Sequence, residues 1–222
     1  MTGFDDPDAV AKYAANPPRL VPGFADLHRM TRIMLAETTP ADGQVLVVGA
    51  GGGLELAAFA GTMPEWRFVG VDPSAAMLDL ARRSLGPLGD RVALLEGYVT
   101  AAPQGPFDAA CCLLTLHFLS AEERLETLRE IHKRLKPGGA LVVAHHSLPD
   151  GPARERWLDR FAAFSEDNGV AFEQARGGAR AIGQGLPILS PEAEVDLLRD
   201  AGFADPQLFY AAFTFRGWVA RA

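Results

Sequence analysis

The feature that most constrains the fold of this chain is an apolar run that breaks into a cluster of glycines, Val45-Leu-Val-Val-Gly-Ala-Gly-Gly-Gly-Leu54. The apolar run predicts a buried parallel strand over residues 44–48, and the pattern after the glycines predicts a helix over residues 54–61. Glycines remove the Cβ atoms from the turn and tolerate positive φ angles, so the backbone there can lie close to a bulky ligand. The stretch therefore predicts a strand, a tight ligand-binding turn and a helix.

The spacing of the glycines separates two kinds of ligand. Gly49, Gly51 and Gly53 follow the pattern G-x-G-x-G. Dinucleotide-binding turns follow G-x-G-x-x-G, in which the third glycine lets the helix pack closely beside a pyrophosphate. Leu54 occupies the position of that third glycine. The spacing therefore favours a smaller ligand without a pyrophosphate, with an ordinary glycine-rich turn as the alternative.

An acidic residue closes the next strand, which is predicted over residues 66–72. Asp72 follows Gly51 at close to the ~20-residue separation at which an acid at the end of the second strand accepts hydrogen bonds from ribose hydroxyls. The alternative is that Asp72 caps the helix predicted over residues 74–85, although Ser74 offers a cap of its own. We expect Asp72 to bind a ribose.

Strand and helix patterns alternate through most of the chain. Further strands are predicted over residues 91–97, 107–114 and 140–144, and further helices over residues 23–37 and 120–135. The last helix is opened by a capping box, Ser120-Ala-Glu-Glu123. Such alternation predicts an α/β fold with a doubly wound, Rossmann-like parallel sheet and helices on both faces.

Two segments depart from this alternation. Residues 1–40 predict an N-terminal helical lid with a short helix near residues 7–15. Residues 150–189 predict a helical insert, with a helix over residues 154–168 and then a glycine-rich stretch without strand signal between Gly177 and Gly185. Connections this long are usually lids or binding inserts.

The end of the chain predicts a helix and a hairpin. Ser190 and Pro191 open the helix, and two strands over residues 206–210 and 213–220 follow it. The apolar side chains of this hairpin, such as Trp218, belong either to the core, which we favour, or to the interface of a homodimer. We expect a single domain over residues 1–222.

Composition narrows the class of protein. The 222 residues, 48% hydrophobic and 22% charged, have the balance of one globular domain. No apolar run reaches the ~18 residues of a membrane span. A net charge of −7 opposes nucleic acid as a partner. Cys111 and Cys112 are adjacent on a predicted strand and point to opposite faces, so no disulfide is expected between them and a reducing, cytoplasmic setting fits.

The glycine turn, Asp72, the turn Leu-Lys-Pro-Gly-Gly at 135–139 and the hairpin after Ala201-Gly-Phe203 together resemble the class I S-adenosylmethionine (SAM)-dependent methyltransferases. The resemblance covers nearly the whole chain. It implies a seven-stranded sheet of order 3-2-1-4-5-7-6 with an antiparallel last strand, and SAM as the cofactor. It also implies the residues that hold SAM, which are Gly49, Ala50, Gly51, Gly53, Asp72, Pro73, Met77, Gly97, Tyr98, Val99, Leu114 and His117. Val47 and Tyr98 stand where the family commonly has acids.

A narrower resemblance is to the enzymes that carboxymethylate the wobble uridine of tRNA with carboxy-SAM. Four stretches carry it, namely Val21-Pro-Gly-Phe24, Leu114-Thr-Leu-His-Phe-Leu119, Lys136-Pro-Gly-Gly-Ala-Leu141 and Ala201-Gly-Phe203. Those enzymes place a positive group near the extra carboxylate of the cofactor. Arg180 is the basic residue of the insert that we assign to this role.

Methyl transfer from a sulfonium is an in-line displacement, so the enzyme chiefly positions the acceptor and excludes water. A base is needed only when the acceptor must first lose a proton. The candidate catalytic residues are His117, His145 and Tyr13, each with a structural role as its alternative. Alternation along the strand predicts that one of His145 and His146 faces inward and the other outward.

The candidate acceptor-binding residues are Tyr13, Arg19 and Arg180. The histidines lack the spacing of metal ligands, so no metal site is predicted. We therefore expect an enzyme that methylates a small-molecule acceptor. A carboxy-SAM-dependent tRNA uridine carboxymethyltransferase and a SAM-binding protein without activity stay open as alternatives, and the glycine spacing opposes a nicotinamide oxidoreductase.

Overall fold

The computed structural model describes residues 16–222 of the chain. Its strands are β1 (Gln44–Val48), β2 (Arg67–Asp72), β3 (Val92–Glu96), β4 (Phe107–Leu113), β5 (Leu135–His146), β6 (Ala204–Ala212) and β7 (Phe215–Arg221). Its helices are α1 (Pro17–Leu20), α2 (Phe24–Ala36), α3 (Leu54–Ala60), α4 (Ala75–Leu85), α5 (Ala121–Arg134), α6 (Ala153–Asp167), α7 (Phe172–Gly185) and α8 (Pro191–Asp200). The helix predicted near residues 7–15 lies outside the described residues.

The described strands form one seven-stranded sheet of order β3-β2-β1-β4-β5-β7-β6. Adjacent strands from β3 to β5 pair in parallel, whereas β7 runs antiparallel to both β5 and β6. The α/β class, the strand order and the antiparallel last strand are thereby confirmed. In such a sheet the carboxyl ends of the parallel strands meet at one edge, where α/β proteins place their ligands.

Helices cover both faces of the sheet because the central strands are apolar on both sides. β4 is buried along its whole length. Val47 and Cys111 belong to the core that α2, α3, α6 and α7 complete, and Leu46 and Cys112 belong to the core that α5 and α8 complete. The two adjacent cysteines therefore lie on opposite faces, as predicted, and neither forms a disulfide.

Three helices begin where the sequence signals placed them. The Ser74 hydroxyl accepts the Met77 amide at the start of α4. Ser120 and Glu123 form both bonds of the predicted capping box at the start of α5. Ser190 caps α8 by accepting the Ala193 amide. These caps hold α4 and α5 directly after β2 and β4, next to the carboxyl edge of the sheet.

The glycine-rich stretch of the insert is helical, which the sequence pattern did not reveal. Ala175 and Ala179, four residues apart on α7, are buried in the core. A Cβ on Gly183 would lie 2.5 Å from Cδ1 of Leu158 on α6. Glycine is unfavourable inside a helix, but here it lets α7 approach α6 closely, so tertiary packing outweighs local propensity.

β5 begins at Leu135, five residues before the predicted start of the strand at 140. Leu135 pairs with Phe107 across the sheet. Gly138 donates to the carbonyl of Ala222, and Ala222 donates to the carbonyl of Gly139. Hydrogen bonds with Ala222 thus make the predicted turn part of β5. These bonds join residues that are far apart in the sequence, so no local pattern predicts them.

The C-terminal hairpin belongs to the core, as favoured from the sequence. Trp218 is buried, and Phe209 and Phe213 pack partly buried against the core. Within residues 16–222, no helix has both the length and the apolar character needed to cross a membrane.

Candidate active site

A cavity of about 310 Å³ lies at the carboxyl ends of β1, β2, β3 and β4. It brings together many residues that the resemblance assigned to the cofactor, namely Gly49, Gly51, Asp72, Pro73, Met77, Gly97, Tyr98, Val99 and Leu114. The remaining lining residues are Val48, Val71, Ser74, Leu113, Thr115, Phe118, Leu119 and Thr127. Among the described lining residues Asp72 carries the one carboxylate, and none is Lys, Arg or His. The cavity therefore presents a negative charge and otherwise neutral walls.

The glycine turn approaches the rest of the site too closely for side chains. Gly49, Gly51 and Gly53 all have positive φ angles, of 75°, 48° and 78°. A Cβ on Gly49 would lie 2.1 Å from Oγ1 of Thr115, and one on Gly53 would lie 3.0 Å from Cβ of Ala81. The glycines are therefore required by backbone conformation and by packing, which leaves a bare backbone surface at Gly49 and Gly51 facing the cavity.

Asp72 ties the glycine turn to the end of β2. Its Oδ2 accepts the Gly51 amide at 2.9 Å, and its Oδ1 accepts the Ser74 amide at 2.9 Å. Ser74 caps α4 with its own hydroxyl, so Asp72 is not the cap of that helix. These two backbone bonds fix the orientation of the carboxylate in the cavity wall, where a carboxylate can accept hydrogen bonds from ribose hydroxyls.

The wall opposite the glycine turn is apolar. Met77 is buried at the start of α4, and Val99 is buried just after β3. Between β3 and Val99, Gly97 has a φ of 133°, and the ring of Tyr98 is 56% exposed. This wall offers side chains suited to a flat aromatic ligand group, and Tyr98 is placed to cover such a group from the solvent side.

The mouth of the cavity is formed by the segment after β4. Leu114 has a φ of 55°, a conformation that L side chains rarely adopt. Its amide donates to the carbonyl of Ala144 at 2.6 Å, and the Thr115 hydroxyl donates to the carbonyl of Leu113 at 2.9 Å. Strained residues of this kind cluster at functional sites. The chain is thus held in a sharp turn that directs Leu114 and Thr115 toward the cavity.

His117 lies behind this wall and does not line the cavity. Its ring centroid is 4.3 Å from that of Phe118 and 4.8 Å from that of His146. Its Nδ1 has no hydrogen-bond partner among the described residues. Burial, together with the neighbouring histidines, holds the pKa of His117 well below its ordinary value, so the ring is neutral at physiological pH.

His145 and His146 are both buried, so the prediction that one faces outward is wrong. The reason is that β5 is an interior strand with helices on each face. His145 Nε2 lies 3.1 Å from Oε1 of Glu194 on α8. On the opposite face, His146 Nδ1 lies 2.9 Å from Oγ1 of Thr214, and burial lowers the pKa of this ring to about 3.

Several predicted site residues lie elsewhere. Ala50 and Gly53 are buried under the turn rather than in the cavity wall. Arg19 donates to the carbonyls of Asn168 and Gly169 after α6. Arg180 is exposed on α7. Tyr13 lies outside the described residues. The roles of these residues in binding or catalysis stay predictions.

Glu55 is a candidate that sequence reasoning missed. It follows the glycine turn in the first turn of α3, and its side chain is 8% exposed. Burial raises the pKa of this carboxyl to about 8, and the nearby Asp72 carboxylate acts in the same direction. An acid in the first turn of a helix is usually a surface residue favoured by the helix dipole, so the sequence alone carried no signal of its burial.

Comparison with known proteins shows what the chain is similar to. Residues 45–139, which include the glycine turn, Asp72 and the strands from β2 to β4, match the model of a methyltransferase domain. This part of the chain thus resembles a SAM-dependent methyltransferase. The chain is 26% identical over 207 residues to the carboxy-S-adenosyl-L-methionine synthase of Chromohalobacter salexigens, an alignment covering 91% of this chain and 77% of that protein.

Solved structures share the fold of this chain. An O-methyltransferase family protein from Burkholderia thailandensis superposes with a TM-score of 0.70 at 20% identity, over 97% of this chain and 60% of that chain. A SAM-dependent methyltransferase from Aquifex aeolicus superposes with a TM-score of 0.66 at 18% identity, over 97% of this chain and 98% of the other. The chain thus spans about three fifths of the first protein and nearly all of the second.

Proposed function

We propose that this protein is a methyltransferase that transfers a methyl group from SAM to a small-molecule acceptor. The observation that carries the proposal is the charge of the cavity, where Asp72 is the one carboxylate and no described lining side chain is basic. SAM brings a positively charged sulfonium, which such a cavity favours. The net charge of −7 opposes a polyanionic acceptor such as tRNA.

The lining residues suggest how SAM would be held. Asp72, oriented by its two backbone bonds, would accept the ribose hydroxyls. Met77 and Val99 would enclose the adenine, with Tyr98 over its exposed face. The bare backbone at Gly51 would lie under the methionine part. Bound in this way, SAM would supply an electrophilic methyl group.

The segment after β4 would prepare the acceptor side. Thr115, Phe118 and Leu119 line the cavity there and would exclude water and orient the acceptor for an in-line displacement. His117 stays the candidate base from the sequence for an acceptor that must lose a proton. Its Nδ1 is unpartnered among the described residues, but its ring lies behind Phe118 and burial lowers its pKa, so any proton transfer to it would need a rearrangement of this wall. The candidate roles of His145 and Tyr13 rest on the sequence alone.

Carboxy-SAM is the second candidate donor, because the sequence resembles the enzymes that carboxymethylate the wobble uridine of tRNA. The relative named carboxy-SAM synthase is named for forming this compound. An additional carboxylate close to the methyl carbon calls for a basic partner. The described lining residues provide none, and Arg180 is exposed on α7. The cavity therefore supports SAM over carboxy-SAM as the donor.

The proposal is tested by incubating the enzyme with methyl-labelled SAM and a panel of phenols, amines, thiols and carboxylic acids, with unmodified tRNA and carboxy-SAM in parallel. We expect transfer from SAM to at least one small molecule, at a rate at least about tenfold above the rate without enzyme. Arg180→Ala should leave the preference for SAM over carboxy-SAM unchanged, because Arg180 lies outside the cavity wall.

Three outcomes would contradict the proposal. Transfer to tRNA with carboxy-SAM, lost in Arg180→Ala, would establish the carboxymethyltransferase alternative. Formation of carboxy-SAM would point to the activity for which the curated relative is named. Saturable SAM binding without transfer to any acceptor would favour a SAM-binding protein that has lost activity.

A further inference from the structure

Glu55 carries a buried carboxyl group near the cavity. The proposed methyl transfer does not use this group. It lies two residues after Gly53, in the first turn of α3, with its side chain 8% exposed. Within residues 16–222 it forms no ion pair with Lys, Arg or His, and its one carboxylate neighbour is Asp72, which lines the cavity. The first turn of α3 thus places an acid without a counter-charge next to the glycine turn and near Asp72, although Glu55 does not itself line the cavity.

The groups that face Glu55 supply no positive charge. Asp72 at the end of β2 and the thiols of Cys111 and Cys112 on β4 interact with it electrostatically. His28 on α2 packs against the ring of Phe59 on α3, and burial lowers the pKa of the His28 ring to about 4. These neighbours are therefore negative or neutral at physiological pH.

The cations nearest to α3 point elsewhere. Arg91 donates to the carbonyls of Ala60 and Met63 at the opposite end of α3. On α4, which packs against α3, Arg82 and Arg83 are exposed, and Arg82 pairs with the exposed Asp79. A cation bound over the glycine turn would therefore be the counter-charge that Glu55 lacks.

We propose that Glu55 lets this enzyme distinguish its cationic cofactor from the neutral thioether product, S-adenosylhomocysteine (SAH). SAM binding would expel the carboxyl proton of Glu55 to solvent, leaving a carboxylate that balances the sulfonium. Once the methyl group has left with its positive charge, the carboxylate takes a proton back from solvent. This proposal rests on the proposed function, because it takes the cavity as the SAM site.

Proton release has a defined pH signature. Burial raises the pKa of Glu55 to about 8 in the free protein, and a nearby opposite charge lowers a carboxyl pKa by about one unit or more. The SAM complex then binds fewer protons than the free enzyme, so SAM affinity rises with pH through that range. SAH has the same amino acid and nucleoside groups without the sulfonium. Because the sulfonium also lowers the pKa of the α-ammonium group of SAM relative to that of SAH, the effect of Glu55 is the part of the pH dependence of the SAM-to-SAH affinity ratio that disappears when this carboxyl is removed.

The test is calorimetric titration of the full chain with SAM and with SAH between pH 6 and pH 9, in two buffers of different ionisation enthalpy. We expect the SAM-to-SAH affinity ratio to rise about tenfold across this range, and SAM to release more protons than SAH near pH 7.5. A ratio that does not change with pH, or equal proton release for both ligands, overturns the proposal.

Two matched variants assign the effect to Glu55. Glu55→Gln keeps the shape of the side chain and should abolish the difference in proton release, whereas Glu96→Gln removes an exposed acid at the end of β3 and should preserve it. A proton difference that persists in Glu55→Gln contradicts the assignment. If Glu55→Gln does not fold, Glu55→Ala takes its place, and a proton difference that persists in that variant contradicts the assignment.

The two proposals fail in different ways. SAM binding with proton release but without methyl transfer contradicts the proposed function and leaves the role of Glu55 intact. Methyl transfer with a ratio that is independent of pH contradicts the role of Glu55 alone. No SAM binding by the wild type contradicts both.

Discussion

Gly49 and Thr115 pack so closely that the glycine turn accepts no side chain at this position. The Cβ introduced by Gly49→Ala would lie 2.1 Å from Oγ1 of Thr115, at a φ of 75°. Thr115 would have to move, and the mouth of the cavity with it. We expect the substitution to weaken SAM binding by at least about tenfold, equivalent to ~1.4 kcal/mol, as measured by calorimetry.

Gly138→Ala is the matched control for that substitution. Gly138 has a φ of 78°, yet a Cβ there would meet nothing within 4 Å. It should therefore carry only the cost of a left-handed alanine, ~1–2 kcal/mol of folding free energy, with SAM affinity unchanged. Equal loss of SAM affinity in the two variants would show that the contact with Thr115 is unimportant.

Single residues also show which parts of the candidate site could be predicted from the sequence. Gly49 and Asp72 were predictable because Gly49 directly follows β1 and Asp72 is the last residue of β2, and the carboxyl ends of parallel strands converge at one edge. Glu55 was not predictable, since its burial depends on packing against β2 and β4. The same holds for Thr115, whose place in the wall follows from the turn after β4 and from contact with Gly49.

At the scale of elements, a buried ion pair joins α5 to α8. Arg124 on α5 pairs with Glu194 on α8, and both are buried. Burial opposes ionisation of Glu194, but His145 and Arg124 together hold its pKa below the ordinary value. Arg124 also donates to the carbonyls of Leu119 and Pro187. The pair therefore fixes α5, α8 and the segment after β4 relative to one another.

Removal of the carboxylate should be costly because it leaves a buried guanidinium without a counter-charge. We expect Glu194→Ala to lower the free energy of unfolding by ~3–5 kcal/mol, measured by urea denaturation. Asp196→Ala, which removes an exposed acid paired with Arg199 on the same helix, should change it by less than ~1 kcal/mol. Similar values for the two variants would contradict a structural role for the buried pair.

Elements whose signals are local were predicted well, and elements defined by distant contacts were not. The strands from β1 to β4 and the caps of α4, α5 and α8 follow from apolar runs and from Ser and Glu at fixed offsets. α7 was missed because its glycines disfavour a helix, and the buried contacts of Ala175 and Ala179 and the close approach of Gly183 to Leu158 on α6 that stabilise it are tertiary. The early start of β5 was missed because it depends on pairing with Ala222.

At the scale of the whole molecule, the carboxyl ends of the parallel strands determine which residues come together in the candidate site. The parallel strands bring the glycine turn, Asp72 and the strained Leu114 to one edge, although these residues come from β1, β2 and β4. The N-terminal segment reaches the insert through Arg19, which donates to two carbonyls after α6. Closure of either segment over the acceptor stays a prediction, as does a homodimer.

The central claim is that the cavity at this edge holds SAM through Asp72. It is tested most directly by calorimetric titration of SAM into the wild type, Asp72→Ala and the control Asp79→Ala, whose carboxylate is exposed on α4. Charge-assisted hydrogen bonds contribute ~1.5–3 kcal/mol each, so we predict saturable one-to-one binding that weakens by at least about tenfold in Asp72→Ala and is unchanged in Asp79→Ala. Absence of binding to the wild type, or equal affinity in all three proteins, would contradict the claim.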